Sequence, residues 1–399
     1  STQGYSSAAS DVYKRQDCIY TMSLGKLLRK AGHIVCFYAM DYSEHTQNKD
    51  SSFFAEEISF SATGFFKKIK AANRVLWGWG IKQGFGELLD DFQPDIVHLN
   101  NIHSYLSPIV AKLAYRRGIK VIWTLHDYKL ICPSYSCLYK EKNCKACFTY
   151  KGNVLLRKCM KNSLLASALA LGEALYWNKN KLLKWTDTFI CPSCFMAKMM
   201  QSGGYPTSKL RIINNFIGEE QVQYIKTFDN PVREQAYAYI GRLSKEKGIE
   251  SCLKVASRLS YKLYIAGTGP LEADLKEKYE ADNIIFLGYL TMKDTIKLLK
   301  KVSFTIIPSI CYENNPLSVI ESLCCGTPIL GRNIGGIPEL LELDSCNQLF
   351  TQDKELPDLI IKMFETVAST DRNKLSIASL QRFSVEHYYQ KWLEVVGKE

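Results

Sequence analysis

Short β-rich runs alternate with amphipathic stretches along almost the whole chain, and that alternation restricts the fold more than any other feature. A strand followed by a helix-length apolar repeat, many times over, builds parallel sheets covered by helices on both faces. In the first half the expected strands are IVCFY (34–38), DIVHLN (95–100), KVIWTLH (120–126), TFICPS (188–193) and LRIINN (210–215). In the second half they are AYAYIGR (236–242), KLYIAG (262–267), NIIFLG (283–288), SFTIIPS (303–309) and TPIL (327–330). Their near-continuous apolar content suits strands buried on both sides. Between the two sets, residues 216–234 are polar and lack a clear period, which reads as a linker. At 399 residues the chain exceeds one ordinary core, so two doubly wound α/β domains are expected. They would face a central cleft that takes ligand at the strand C-termini.

The first sixteen residues, STQGYSSAASDVYKRQ, have no hydrophobic period, and their latter part resembles a translated sequencing-library adapter. They are set apart from the fold. From Asp17 the pattern opens on a helix, DCIYTMSLGKLLRKAGH, where a domain of this class would first supply a strand and a glycine turn. The expected organisation is therefore a first domain at 17–215 lacking its first strand, the linker at 216–234, and a second domain at 235–380. Residues 381–399 are expected to form a C-terminal helix packing back on the first domain.

The net charge of +11 is uneven: residues 101–210 hold 17 Lys/Arg against 4 Asp/Glu. Such a region either faces an anionic surface, nucleic acid or a membrane leaflet, or is a set of solvated helix faces. Fourteen cysteines in a chain able to build a large core do not read as a disulfide scaffold. With no secretory signal visible, a reducing cytoplasm is expected. The most apolar run, SLLASALALGEALYW (163–177), is shorter than a membrane span and carries Glu173.

The second-half strands end in residues suited to a phosphorylated ligand. YIGRLSKEKGI puts Gly241 and Arg242 at a strand end and Lys247 at the next helix start, and IAGTGPLEADL puts Gly267, Gly269 and Pro270 in a tight turn. In SICYENNPLSVIESLCCGTPI, Pro316 fits a first helical position, Asn315 fits a cap, and Glu313 and Glu321 stand eight residues apart. The amides of Leu317 and Ser318 open that helix. A carboxylate suits a vicinal diol, and amides with Arg242 and Lys247 suit phosphates. A sugar joined to a nucleotide through a diphosphate presents those groups in that order.

With PDIVHLNNIHSYLSPIV, TLHDYKLICP, GRLSKEKGI, GTGPLEADL and ENNPLSVIESLCCGTPILGRNIGGIPEL in this order, the chain resembles the GT-B fold glycosyltransferases of family 4. The resemblance runs from Asp17 to about Gln348. It implies two Rossmann-like domains and retaining transfer from a nucleoside-diphosphate sugar, UDP- or GDP-linked, in bacterial surface-polysaccharide synthesis. The implied acceptor is a glycan or a polyprenyl-linked sugar. By the same resemblance, Glu313 lies near the donor sugar, Glu321 on the ribose, and Arg242 and Lys247 on the diphosphate. His126 lies at the sugar end, and Asn315, Pro316, Leu317 and Ser318 form the backbone segment near phosphate and sugar. No metal or other cofactor is required, nucleic acid is not a partner, and the setting is the cytoplasm or the inner face of the plasma membrane. Asn315 departs from the aromatic or small apolar residue more usual in the family. Three other readings stand beside this one: a nucleotide-sugar 2-epimerase of the same fold, a dinucleotide oxidoreductase, and an inactive fragment. The epimerase wants an acid/base pair at the sugar, and the oxidoreductase wants a third glycine that GTGPLE lacks.

Five cysteines, Cys132, Cys137, Cys144, Cys147 and Cys159, fall close together, and CKAC is a metal-type pair. Either these are plain thiols, or Cys132, Cys144, Cys147 and Cys159 form a structural zinc site. Lysines and arginines between Lys140 and Lys184 flank the apolar 163–177 run. That stretch is either a face resting on anionic lipid or a core helix with lysines outside.

Overall fold

The computed structural model describes residues 16–40, 54–58, 65–103, 105–228, 232–342 and 344–397. The adapter-like tail lies outside the described residues except for Gln16, which begins the first helix, Gln16–Lys30. The chain divides into two compact units. One comprises the described residues through Tyr139, Cys144–Ile213 and those from Trp392 on; the other comprises Lys140–Asn143 and Asn214–Lys391.

The first unit holds β1 (Ile96–Asn100), β2 (Lys120–Thr124), the short β3 (Leu138–Tyr139), β5 (Thr188–Cys191) and β6 (Leu210–Ile212), while β4 (Lys142–Asn143) falls in the stretch assigned to the other unit. The sheet order is β1-β2-β5-β6 and every pairing is parallel. Trp123 of β2 is fully buried with Phe189 of β5 at 6.1 Å between ring centroids, so the sheet face is filled by aromatic packing. Residues 34–38, expected as a strand, form no ladder among the described residues; only Met40 makes a single bridge, to Ala55. Residues Val35 to Met40 are nonetheless buried. An apolar run settles burial, whereas a strand also needs a neighbouring backbone to pair with.

The second unit holds β7 (Glu234–Ile240), β8 (Lys262–Ala266), β9 (Ile284–Gly288), β10 (Val302–Ile307), β11 (Ile329–Arg332) and β12 (Gln348–Phe350). They form one parallel sheet, ordered β12-β11-β10-β7-β8-β9. Helices Ile249–Ala256, Glu272–Tyr279 and Leu356–Ala368 bury Leu253, Leu275 and Met363 against Tyr237, Ile265 and Phe304 on one side. Helices Met292–Lys301, Leu317–Cys324 and Arg372–Phe383 bury Leu299, Leu323 and Phe383 on the other. With both faces covered, β10 is buried at all six positions, its two polar residues, Ser303 and Thr305, being hydrogen-bonded to Glu234 O and Ser322 Oγ. The order in which strands are added reverses between β7 and β10, and in a parallel sheet such a switch point is where a crevice forms beyond the strand C-terminal ends.

Two stretches differ from expectation. Residues 216–234 are not bare linker: they contain helix Glu219–Thr227, because Val222 and Ile225, three apart, turn toward the core of Val319 and Leu323. The C-terminal part is two helices, Arg372–Phe383 and Val385–Val396, broken at extended Ser384. In the first unit, Trp392 stacks on His98 of β1, and Lys120 Nζ donates to the carbonyls of Val395 and Val396 at 3.3 and 3.1 Å. Among the described residues no helix is long and apolar enough to cross a membrane.

Candidate active site

The reversal between β7 and β10 determines which side chains meet. After β7 the chain passes Gly241 and an exposed Arg242, whose carbonyl accepts from Tyr239 Oη at 2.7 Å. A short turn, Lys245–Lys247, then leads into helix Ile249–Ala256. After β10 the chain passes Ser309 and Cys311 to Glu313. Lys247 Nζ donates to Glu313 Oε1 at 2.6 Å, and Ser309 Oγ donates to the same oxygen at 2.6 Å. The Glu313 side chain is 12% exposed and that of Lys247 30%, so the pair is shielded but still reached by solvent. Burial alone would lower the Lys247 ammonium, but the Glu313 charge outweighs it and holds the lysine above its usual range. Burial, followed by the Glu313 carboxylate, pushes the Cys311 thiol up to about 12. It is a neutral neighbour.

Backbone-to-backbone packing holds these loops. A Cβ on Gly267, whose φ is +132°, would lie 2.0 Å from the Gly241 carbonyl oxygen, and one on Gly269 would lie 2.3 Å from that of Leu243. The glycines therefore seat the β8 turn directly on the β7 turn. The approach expected toward a ligand is made here toward a neighbouring loop. On the other side, Gly336 N donates to the Glu313 carbonyl at 2.7 Å, and a Cβ there would sit 1.9 Å from the Asn314 oxygen. The turn after β11 thus fixes the backbone of Glu313 and Asn314.

Asn315 does not cap the following helix. Pro316 occupies the N-cap position, ahead of helix Leu317–Cys324, with no side-chain cap. Asn315 is 2% exposed: its Oδ1 accepts from Asn215 N at 2.7 Å, and its carbonyl accepts from Asn215 Nδ2 at 2.8 Å. A tie to the start of the second unit has taken the place of a cap. The first intrahelical bonds run from Val319 and Ile320 to the Pro316 carbonyl, so the amides of Leu317 and Ser318 precede them and carry the positive end of the helix. One turn on, Glu321 Oε1 accepts from Gln221 Nε2 at 2.9 Å. Burial pushes the Glu321 carboxyl up to about 7, only partly offset by Gln221. Four supporting residues escaped sequence reasoning: Ser309, Cys311, Asn215 and Gln221. The last two lie a hundred positions from their partners, beyond any local signal.

His126 belongs to the first unit, just beyond β2. Its Nε2 is 2.9 Å from Asn100 Oδ1 at the end of β1, and its ring meets Tyr20 edge-on at 4.9 Å. Thr124 Oγ1 joins the group, 2.7 Å from His98 Nε2. Burial, then the neighbouring His126, lowers His98 to about 3, which keeps it neutral. Polar residues at 98 and 100 inside the otherwise apolar β1 were the available signal for this cluster. Of the two readings of the cysteines, the described residues fit plain thiols, each of them free. Cys132 Sγ lies 3.2 Å from Ser134 Oγ, whereas Cys144 Sγ accepts from Arg157 Nη1 at 3.2 Å. Among the described residues, no three or more His, Cys, Asp or Glu side chains are grouped to hold a metal ion.

Comparison with known proteins bears on the family and the fold. Residues 19–221 match the family model described as Glycosyltransferase Family 4, and residues 223–378 the one described as Glycosyl transferases group 1. An uncharacterized 42.6 kDa protein in the cps region of Klebsiella pneumoniae is 25% identical over 334 residues, 79% of this chain and 81% of that protein. The solved structure of Anabaena Alr3699/HepE in complex with UDP and glucose is similar in fold, with a TM-score of 0.64 at 14% identity, over 100% and 99% of the two chains. The apo form of the lipopolysaccharide outer core galactosyltransferase WaaB gives 0.62 at 14% identity over the same shares.

Proposed function

The chain belongs to glycosyltransferase family 4, and from that we propose that it moves a sugar, with retention, from a nucleoside-diphosphate donor to a glycan or polyprenyl-linked acceptor of a surface polysaccharide. The observation that carries this reading is the Lys247–Glu313 pair at the crevice between β7 and β10. Transfer breaks the anomeric C–O bond, so negative charge grows on the leaving diphosphate. An ammonium has three donors. One is taken by Glu313, which holds Lys247 charged and in place, and two remain for phosphate oxygens. Arg242 adds a second cation, and the amides of Leu317 and Ser318 add fixed dipoles. Groups already oriented stabilise the developing charge more than they stabilise bound donor. Glu321 takes the ribose hydroxyls, Glu313 lies at the donor sugar, and His126, oriented by Asn100, positions the sugar end. Gly241, Gly267 and Gly269 keep the loops that carry these groups in register.

A UDP-sugar is the first donor to test, since the similar Anabaena structure holds UDP and glucose, and the Klebsiella relative lies in a cps region. The reaction needs no metal: cations and amides of the chain supply the charge. The setting is the cytoplasm, with association to anionic lipid at the inner face of the plasma membrane. The test is nucleoside-diphosphate release across a panel of UDP- and GDP-sugars, with product anomer read by NMR. Arg242→Ala and Lys247→Ala should each lower kcat by a factor of at least about a hundred, the range of a lost charge-stabilising donor, with unchanged circular dichroism. Near-normal turnover in both variants would refute the assignment.

A further inference from the structure

Helix Leu164–Tyr176 packs the opposite way round from a helix facing water. Its buried positions are Ser167, Ala170 and Glu173. Glu173 Oε2 is paired with Lys129 Nζ at 2.8 Å, the two side chains only 6% and 8% exposed, and Ser167 Oγ accepts from Met160 N at 3.1 Å. Its outward residues are apolar: Leu165 is 83% exposed, Leu175 58% and Tyr176 38%. The buried ion pair prevents the helix from rolling over to hide these leucines, because rolling would strand Lys129 without its partner.

The neighbouring helix Phe65–Trp77 extends the same surface. Trp177 Nε1 donates to Val75 O at 2.7 Å, and a Cβ on Gly172 would be 3.5 Å from Leu76 Cδ2, so the two helices lie side by side. This helix exposes Ile69 and Trp77, at 40% and 48%, and Trp79 follows at 56%. Two tryptophans and a tyrosine beside leucines are the side chains that settle at a lipid headgroup boundary. Lys158 and Lys161 precede the inverted helix, Lys179 and Lys181 follow it, and no carboxylate falls between Glu141 and Glu173. A second copy seated here would bring these lysines against their own kind; an anionic surface would complement them.

We propose that helices Phe65–Trp77 and Leu164–Tyr176 form the face on which the protein lies on an anionic bilayer, with Leu165, Leu175 and Trp77 in the acyl boundary and the four lysines among the headgroups. This deepens, and rests on, the membrane association proposed above. The protein lies on the bilayer rather than spanning it. The face also explains why the most apolar run in the sequence is left outside the core.

Co-sedimentation of the full chain with vesicles tests it, using phosphatidylcholine alone and a phosphatidylethanolamine–phosphatidylglycerol mixture. The wild-type protein should bind only the second and be released by salt. L165Q/L175Q should weaken the partition about a hundredfold, the worth of two leucines withdrawn from lipid. K158Q/K161Q/K179Q/K181Q should weaken it by a similar factor or more. All variants should bind UDP like wild type by calorimetry. Wild-type protein that stays in the supernatant, or variants that sediment as well as wild type, would overturn the proposal. So would a dimer in sedimentation velocity that the leucine variant dissolves. Vesicle binding without any UDP binding would instead overturn the donor reading and leave the lipid face standing.

Discussion

Glu321→Gln should raise stability and weaken nucleotide binding together, because one group serves both. The carboxyl ordinarily titrates at 4.5, and burial lifts this to about 7. At about 1.4 kcal/mol per pH unit, keeping it ionised above pH 7 costs the folded state roughly 3 kcal/mol. The sign follows from the raised value. Below pH 4.5 the group is protonated folded or unfolded and nothing is lost; stability falls as pH rises through that interval and levels off above 7. The substituted amide still offers an oxygen to Gln221 Nε2, so the hydrogen bond survives while the charge goes. Urea denaturation of the full chain, followed through the second unit's transition, should therefore show a gain of roughly 3 kcal/mol at pH 8 and almost none at pH 4.5. Calorimetry should show UDP bound some ten to a hundred times more weakly, the worth of hydrogen bonds to a charged acceptor. Wild-type binding of UDP at pH 6.5 should also release protons, because ribose hydroxyls favour the ionised carboxylate. An equal gain in stability at both pH values, or none at pH 8, would refute the reasoning.

Asn315→Ala should leave the Asn215 amide buried without an acceptor, at a loss of about 1–3 kcal/mol. In a denaturation double-mutant cycle the Asn215→Ala/Asn315→Ala pair should lose nearly the sum of the single changes, because each side chain bonds the other's backbone, which the second substitution leaves in place. Gly336→Ala should push a methyl group into the Asn314 carbonyl, lowering Tm and cutting turnover about tenfold or more through displaced Glu313; wild-type Tm would count against the fixed-loop account.

Most of the second unit was legible because its signals are local. Five of its strands were largely apolar runs, whereas the three-residue β12, opening on Gln348, gave no such signal; Glu313, Pro316 and Glu321 lie in one loop-and-helix segment. The meeting of Lys247 with Glu313 was readable only through the chain order of strands ending at one crevice. What stayed hidden depends on contacts across the sequence. Asn315 looked like a cap because asparagine before proline usually is one; Asn215 claims it instead. Residues 34–38 have strand-like composition, but pairing belongs to a neighbour and not to the run itself. The stretch 163–177 was ambiguous because hydrophobicity alone does not say which side of a helix is wet; Glu173 and its distant lysine decide that.

If Lys247 serves the departing diphosphate as proposed, Glu313 is the group that already holds it. On that reading the ammonium is not abandoned when the nucleotide leaves, because the carboxylate 2.6 Å away keeps its bond to it throughout. The same side chain that would secure the cation for chemistry would then keep it balanced between turnovers, with no counter-ion drawn from solvent.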